Sequence, residues 1–497
     1  MLVKILPGVK QLATGYEVAN SLRFNFNDDP RLARTLGTPT NADKYTFSAW
    51  IKRDQATTSA QDYAYLISFD IGGTLREHIR FSTGGANDQL SWYIRDSGST
   101  ATSLTTTRQF RDFSAWYHVC CAYDSTQSTS SNRQKIYING TQVTSFSSSG
   151  YVSQNQDSPI NTSGHAVKIG SLGNSAGTTG NFSGYMAEVC FIDGQALDPT
   201  SFGEFDTDSP NIWKPKSVSG LTFGNNGFHL DFEDSSALGN DVSGNNNDWT
   251  PSDFTTTDQT TDTCTNNFTT LNSNIGLTNR TNAQTYSEGN TISIPNSHDS
   301  YMTASSTIGL KGSGKWYWES QIVWNGTSSN VYYPRTIGFV SQDYGYSASY
   351  MGQGDESWCI IYQSSGGPGW RFGHDGSESN ISGATSMANG DTMIFALDLD
   401  NGKFYAGRNG SWFTSGDPTS GSTGTGALAT LSANDLSKFL FPACTNASNA
   451  TYYKWNFGNP AYTISSGNSD ANGYGNFEYS VPSGYFSINT KNLAEYG

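Results

Sequence analysis

The chain has 497 residues, of which 14% are charged and 13% are aromatic, and its formal net charge is −15 at pH 7. The aromatic content argues against intrinsic disorder, because disordered chains lack the large side chains that build a core. The acidic balance argues against binding to nucleic acid or to an anionic membrane surface, since both attract clustered Lys and Arg.

Residues 1–17 are predicted to be an N-terminal arm that could anchor the protein to a larger particle. The arm has only a short apolar piece, broken by Pro7 and Gly8, so it does not predict a signal peptide. The chain has no run of about 18 apolar residues, which argues against membrane insertion. We therefore expect synthesis in a cytoplasm. The six cysteines form no CxxC pair and are predicted to be buried, with Cys120 and Cys121 on opposite faces of one strand.

From residue 18, short runs of alternating polar and apolar residues are separated by Gly, Ser and Thr turns, which is typical of an all-β sandwich. An ordered series of motifs stands in this region: FSAWI at 47–51, AWYHV at 115–119, KIYING at 135–140 and GYMAEV at 184–189. The series resembles the concanavalin A-like LamG/pentraxin jelly roll over about residues 18–205. The run IDGQALDP at 192–199 resembles a strand exit common in tail and capsid-associated proteins of marine bacteriophages.

Residues 206–285 are polar and rich in Asn and Thr, and they are predicted to be an ordered connector or a strand that crosses between domains, with a free linker as the alternative. Their densest group of oxygen ligands is Asp231, Glu233, Asp234 and Asp241, with Asn240. Calcium prefers such hard ligands, and the LamG resemblance implies calcium near a sandwich edge. A solvated acidic turn is the alternative, and we expect no required cofactor.

Residues 286–497 carry a second series of motifs: KWYWE at 315–319, TIGFV at 336–340, DTMIFALD at 391–398, FLFPAC at 439–444, WNFG at 455–458 and PSGY at 482–485. In this order they resemble the SPRY (B30.2-like) sandwich. The predicted fold is therefore all-β, with two antiparallel β-sandwiches, LamG-like and then SPRY-like. Long Gly-rich and Ser-rich loops at 344–356 and 411–431 prevent any transfer of the family's known ligand mode.

Each predicted sandwich contains a strand of alternating polar and large apolar residues that ends in an Asn-Gly pair. The pairs are Asn139-Gly140 and Asn409-Gly410. A type I′ hairpin needs positive φ at both central positions, which Asn and Gly tolerate. The sequence therefore predicts one tight hairpin at each pair.

The residues argue against an enzyme. A glycosidase of concanavalin-like fold needs two carboxylates about 5–10 Å apart, and the chain has no Glu-x-Asp-x-Glu triplet to supply them. Glu188 and Asp193 have the wrong spacing, and Glu319 is predicted to complete a buried polar contact beside two Trp. A polysaccharide-degrading enzyme is kept as an alternative.

Sugar binding asks for aromatic rings that stack on a pyranose and polar groups that bond its hydroxyls. The candidates are Tyr344, Tyr346, Tyr350, Asp355, Trp370 and Arg371, with Trp358. Positions in the core are the alternative for Trp358 and Trp370. In the first sandwich Trp92, Tyr93 and Arg95 are weaker candidates.

Together these features predict a non-enzymatic surface protein of a bacteriophage virion, either a head decoration or fibre or a component of the tail fibre. It would attach to a glycan or another envelope structure of the host. Other virion proteins, copies of the same chain and a host surface glycan are the expected partners. Structural cement without a ligand is a second alternative.

Overall fold

A computed structural model describes residues 15–54, 63–71, 74–82, 88–96, 101–172, 180–275, 284–295, 301–324, 335–346, 350–363, 369–382, 386–446 and 451–497. The chain divides into two compact units, and the boundary lies between Thr265 and Asn266. The described part of the first unit begins at residue 15, so residues 1–14 of the predicted arm lie outside the described residues.

The first unit consists of short strands connected by turns. In chain order they are β1 (Ser21–Phe24), β2 (Arg31–Thr35), β3 (Lys44–Arg53), β4 (Tyr63–Ile71), β5 (Leu75–Ser82), β6 (Gln89–Arg95), β7 (Ala101–Gln109), β8 (Trp116–Asp124), β9 (Gln134–Ile138), β10 (Thr141–Gln142), β11 (Phe146–Ser149), β12 (Ala166–Ile169), β13 (Gly184–Asp193), β14 (Gly203–Phe205), β15 (Trp213–Pro215), β16 (Phe228–Leu230), β17 (Thr250–Ser252) and β18 (Gln259–Thr260).

These strands form two large antiparallel sheets. One sheet has the order β10-β9-β8-β3-β13-β1-β18, with β16 also paired to β13, and we call it the hairpin sheet of the first unit. The other has the order β11-β7-β6-β5-β4-β12-β2-β17, and we call it the open sheet. Alternate residues of both sheets, such as Phe47, Ile79 and Trp92, are buried in one core. Because side chains alternate across a strand, the residues between them face outward.

The second unit has the same kind of architecture. Its strands are β19 (Gln284–Ser287), β20 (Ile292–Pro295), β21 (Met302–Ser305), β22 (Lys315–Trp324), β23 (Arg335–Ser341), β24 (Ser357–Gln363), β25 (Gly369–His374), β26 (Ser377–Asn380), β27 (Thr392–Asp398), β28 (Lys403–Arg408), β29 (Ser411–Trp412), β30 (Ala429–Thr430), β31 (Leu440–Asn446), β32 (Thr451–Asn456) and β33 (Phe486–Ser487). Two short helices, α1 (Ala433–Leu436) and α2 (Thr490–Tyr496), complete it.

Its first sheet has the order β19-β20-β32-β22-β27-β28-β29, with β30 on β28 and β33 on β22, and we call it the hairpin sheet of the second unit. Its second sheet has the order β21-β31-β23-β24-β25-β26. Large rings from both sheets, including Trp318, Trp358 and Trp455, are buried between them. The predicted all-β fold with antiparallel sandwiches is confirmed.

Both predicted Asn-Gly turns adopt the left-handed backbone of a type I′ hairpin. Asn139 and Gly140 have φ of 49° and 74°, and Asn409 and Gly410 have φ of 49° and 77°. In each case the Asn Oδ1 accepts a hydrogen bond of 2.8 Å from a backbone N–H across the sheet, from His118 and from Thr392 respectively. The side chain thereby satisfies a donor next to the turn.

The predicted connector at 206–285 is wrong for residues up to Thr265, because they belong to the first unit. Strand β16 pairs with β13, β17 with β2 and β18 with β1. The buried ion pair between Lys52 and Asp262, 2.7 Å apart, secures the end of this segment. The polar composition of this segment did not indicate β16, β17 and β18, because each strand has only two or three residues.

The same segment, together with Phe202 just before it, covers the outer face of the first unit's hairpin sheet. Phe202, Val218 and Phe223 pack on Cys120, Cys190 and Ile192, which face outward. Cys121 lies on the other side, in the core, so the opposite orientation of the two adjacent cysteines is confirmed. The cysteines are free and buried apart from Cys264, which is partly exposed.

None of the helices in the described ranges has both the length and the apolar character needed to cross a membrane.

Candidate functional site

The predicted tyrosines of the second unit form two pairs on the outer side of the sheet that contains β23 and β24. The rings of Tyr344 and Tyr346 lie edge to face, with 5.2 Å between their centroids. The Tyr350 ring lies 5.2 Å from Tyr301. The Tyr346 hydroxyl is 2.9 Å from the Ser305 hydroxyl, and the Gln353 side chain donates to the Tyr350 hydroxyl at 2.6 Å.

The loop that carries these tyrosines is held against the sheet by apolar packing. Met351 is fully buried together with Val340, Cys359 and Phe441, and Tyr344 packs at the edge of this group. Burial raises the pKa of the Tyr346 hydroxyl. Tyr344, Tyr346 and Tyr350 all remain partly exposed.

The other predicted residues of this group do not join the tyrosines in one site. Asp355 is exposed. Trp370 and Trp358 are each only 2% exposed and lie in the core, so Trp370 is wrong as a ligand-binding residue. Arg371, the next residue on β25, faces outward and its Nη1 pairs with Glu378 at 2.9 Å. Because side chains alternate along a strand, the Trp370 ring and the Arg371 guanidinium lie on opposite faces of the sheet.

Three of the four predicted calcium ligands accept local hydrogen bonds through their carboxylates, and the fourth, Glu233, donates one through its backbone N–H. Asp231 accepts from the backbone of Glu233, and Asp234 accepts from Ser236. Asp241 is buried and its two oxygens accept from His229, Ser243 and Asn247. Over the described stretches, the chain brings no three His, Cys, Asp or Glu side chains together as a metal site. Calcium binding here stays a prediction that the geometry does not strengthen.

Each unit buries one glutamate completely. Glu319 accepts from the Tyr317 hydroxyl, the Asn456 amide and the backbone of Glu478 and Tyr479, at 2.8–3.2 Å. Its predicted role in a buried polar contact is confirmed. Glu77 accepts from Tyr45, Trp92, Ser158 and the backbone of Ile160 at 2.5–3.1 Å. Burial raises the pKa of both carboxyls.

The outward face of the first unit's open sheet holds a cluster that sequence reasoning largely missed. Strand register places Lys168, Ser68, His78, Tyr93 and Ser103 in one row across β12, β4, β5, β6 and β7. The neighbouring rows are Asp70, Arg76, Arg95 and Ala101 on one side, and Tyr65, Arg80, Ser91 and Thr105 on the other. We call these three rows, with Tyr63, the arginine–tyrosine face.

Arg80 stands at the centre of the arginine–tyrosine face. Its guanidinium carbon lies 3.7 Å from the centroid of the Tyr63 ring and 5.4 Å from the centroids of Tyr65 and Tyr93. Its Nη1 donates a hydrogen bond to the Tyr65 hydroxyl at 3.0 Å and lies 3.3 Å from His78 Nδ1. Cation–π contact and hydrogen bonds thus fix the plane of the guanidinium.

His78 lies beneath Arg80 and is neutral. It is 1% exposed, and burial, with help from Arg80 and Arg76, lowers its pKa to about 2. Its Nδ1 therefore accepts from Arg80, while Nε2 lies 3.8 Å from Asp70 Oδ2. Tyr63, Tyr93 and Arg80 are partly exposed above it.

Two of the weaker sequence candidates, Tyr93 and Arg95, belong to this face. Trp92 does not, because it points into the core and donates to Glu77 at 3.0 Å. The alternating pattern of β4 and β5 indicates only that Tyr63 and Arg80 face outward. The sequence does not indicate that they lie next to Tyr93. Their proximity depends on how the three strands β4, β5 and β6 pair.

Residues 27–200 match the Laminin_G_3 family, described as the concanavalin A-like lectin/glucanases superfamily. No curated protein matches the sequence.

Solved structures with similar folds are more distant. The chain is similar to a heptameric SAP-like pentraxin of Limulus polyphemus, with 15% identity and a TM-score of 0.25 over 37% of this chain and 80% of that one. It is similar to the SPRY domain of human HERC1, with 16% identity and a TM-score of 0.24 over 33% of this chain and 86% of that one. A putative carbohydrate binding protein from Bacteroides ovatus shares 15% identity and a TM-score of 0.30 over 48% of this chain and 58% of that one. With the family match and the jelly-roll sheets together, residues 27–200 are a concanavalin A-like LamG domain.

Proposed function

We propose that this protein is a non-enzymatic, glycan-binding surface component of a bacteriophage virion, either a head decoration or fibre or part of a tail fibre. The observation that carries glycan binding is the arginine–tyrosine face, where Tyr63 and Tyr93 flank Arg80 on the outside of a lectin-type sheet. Exposed rings stack on the apolar side of a sugar, and neighbouring Ser, Thr and Arg side chains supply hydrogen bonds to its hydroxyls.

The tyrosine pairs of the second unit are a further candidate surface for the same ligand class. Tyr344 and Tyr350 are partly exposed on a loop that is anchored by the buried Met351. Loops on a rigid sandwich commonly carry recognition. Weak sugar sites gain from multiplicity, which favours a homo-oligomer on the particle.

The hydrogen bonding of the two buried glutamates supports the non-enzymatic part of this proposal. Glu77 and Glu319 each accept four hydrogen bonds from the protein, so neither has a free oxygen to offer to a glycosidic bond. The virion location is supported by the sequence resemblance at 192–199 and by the acidic net charge of −15.

A glycan array probed with the full chain tests the proposal. We expect binding to a subset of bacterial envelope glycans. The double variant Tyr63→Ala/Tyr93→Ala should lower the affinity about tenfold or more, because it removes both tyrosine rings on which a sugar can stack. The matched control is Tyr474→Ala, which removes a half-buried tyrosine that lies under Lys491 Nζ at 5.5 Å in the second unit.

Each outcome decides one part of the proposal. Absence of binding to every glycan on the array favours the cement alternative. Steady release of reducing ends from a bound polysaccharide overturns the non-enzymatic part. Antibodies against the chain should label intact phage particles of the producing host, and their failure to do so overturns the virion location.

A further inference from the structure

The arginine–tyrosine face carries an excess of positive charge on a protein that is strongly acidic. Its outward positions hold the cations Lys168, Arg76, Arg80 and Arg95 and a single carboxylate, Asp70. Arg76 Nε lies 3.6 Å from that carboxylate, and the three rows hold four cations and one carboxylate. The whole chain has 43 acidic and 28 basic residues, so this local balance runs against the composition.

The arginines of the face are partly exposed. The Nε atoms of Arg80 and Arg95 are buried, so a ligand can reach only the outer part of each guanidinium. A guanidinium binds a carboxylate through two parallel N–H groups, which makes it the favoured partner of a planar anion. The Tyr63 ring, 3.7 Å from the Arg80 guanidinium, holds that group in a fixed orientation.

Lys168 extends the charge to the neighbouring strand. It faces outward beside Ser68, and burial together with the nearby Arg31 lowers the pKa of its ammonium group. Arg31 itself is paired with Asp253 at 2.8 Å. The positive field is therefore centred on β12, β5 and β6.

We infer that the ligand of the arginine–tyrosine face is an acidic polysaccharide, whose sugar rings stack on Tyr63 and Tyr93 and whose carboxylates bind Arg80 and Arg95. This inference rests on the proposed glycan-binding function and narrows it to carboxylated sugars. Charge complementarity selects this occupant, because a carboxylated sugar brings negative charge to a surface on which cations outnumber carboxylates.

Polygalacturonate and its fully methyl-esterified form are matched probes, since esterification removes the carboxylate charge and leaves the sugar backbone the same. We expect the full chain to bind polygalacturonate about tenfold or more tightly than the ester, with an affinity that falls as salt is raised. Arg80→Gln and, separately, Arg95→Gln should each weaken binding to polygalacturonate about tenfold and weaken binding to the ester by a clearly smaller factor, because the ester loses only hydrogen bonds.

Arg108→Gln is the control variant. Arg108 is an exposed arginine of β7 that lies over Phe110 and Tyr117, at the core-side edge of the sheet and outside the arginine–tyrosine face. Its replacement should change affinity less than twofold, which is about 0.4 kcal/mol when converted by RT ln 2. Circular dichroism of all three variants checks that the sheets are intact. If Arg80→Gln does not fold, the affinity of Arg95→Gln for polygalacturonate tests the inference instead.

The outcomes separate this inference from the proposed function. Equal binding to both polymers, or no binding to polygalacturonate and alginate while a neutral glycan on the array binds, overturns the acidic ligand and leaves glycan binding in place. Double-stranded DNA that competes as strongly as polygalacturonate also overturns it, because the face would then be a general polyanion site. Failure of every glycan and every acidic polymer overturns both.

Discussion

The two units use the same structural devices but leave different sheet faces exposed. In each unit a downstream aromatic residue covers the glycine of the Asn-Gly turn: Trp213 lies over Gly140, and Tyr479 lies over Gly410. In the second unit an apolar cluster around Met351 also covers the outside of the other sheet. In the first unit the corresponding face carries Arg80 and its tyrosines instead. The covering segments, rather than the sandwich itself, decide which face is available for a ligand.

Acid should affect the two units unequally, and this is the largest expected effect. Burial lowers the pKa of His78 to about 2 and that of His118 to about 3, and both belong to the first unit. A histidine with a lowered folded-state pKa binds fewer protons than the unfolded chain, so its stabilisation is lost as pH falls below about 6.5. We expect a loss of about 1.4 kcal/mol per histidine for each pH unit below that value.

The buried glutamates act in the opposite direction, because their pKa is raised and their stabilisation is lost as pH rises through the folded value. One lies in each unit, so they do not separate the two. Hydrogen exchange at pH 7 and pH 5 should show β8 losing protection before β28. Equal losses in both strands would contradict the assignment to the histidines, and His118→Gln should reduce the difference.

Replacement of either buried glutamate by glutamine should cost its unit about 2–3 kcal/mol. Whichever oxygen becomes an amide, its NH₂ group faces donors, for example the backbone N–H of Glu478 or of Tyr479 in Glu319→Gln. Urea unfolding of Glu77→Gln and Glu319→Gln measures the cost. Glu204→Gln, at a side chain that is 51% exposed, is the control, and a cost equal to that control would show that the four hydrogen bonds contribute nothing.

The Asn-Gly turns give a smaller but sharper comparison. A Cβ at position 140 would lie 2.3 Å from the Trp213 ring, whereas one at position 410 would lie 2.7 Å from Tyr479, which is partly exposed. Both positions also require positive φ. We expect Gly140→Ala to cost about 2 kcal/mol and Gly410→Ala about 1 kcal/mol, measured by thermal unfolding. Gly244→Ala, at positive φ with open space around it, isolates the cost of φ.

Sequence reasoning reached far where the physics is local. Alternating side chains and turn residues predicted the strands, and the steric demand of a type I′ turn predicted both hairpins. The opposite orientation of Cys120 and Cys121 followed from the same period of two. Glu319 was predicted as a buried contact because a lone carboxylate between large rings has to be satisfied by hydrogen bonds.

The errors came from features that local patterns do not encode. Trp370 looked like a stacking ring, but which side of β25 faces the core depends on the packing of the opposite sheet. Residues 206–265 looked like a connector, since strands of two or three residues are defined by their partners rather than by their own composition.

The amino-acid sequence by itself determined that this chain folds into paired antiparallel sheets with two tight hairpins, because backbone sterics and the alternation of side chains act over a few residues. Only the tertiary structure decided that Tyr63, Arg80 and Tyr93 share one outward face while the tyrosines of the second unit sit on a packed loop. Strand register and the covering of sheet faces depend on contacts between distant residues, which no local pattern can fix.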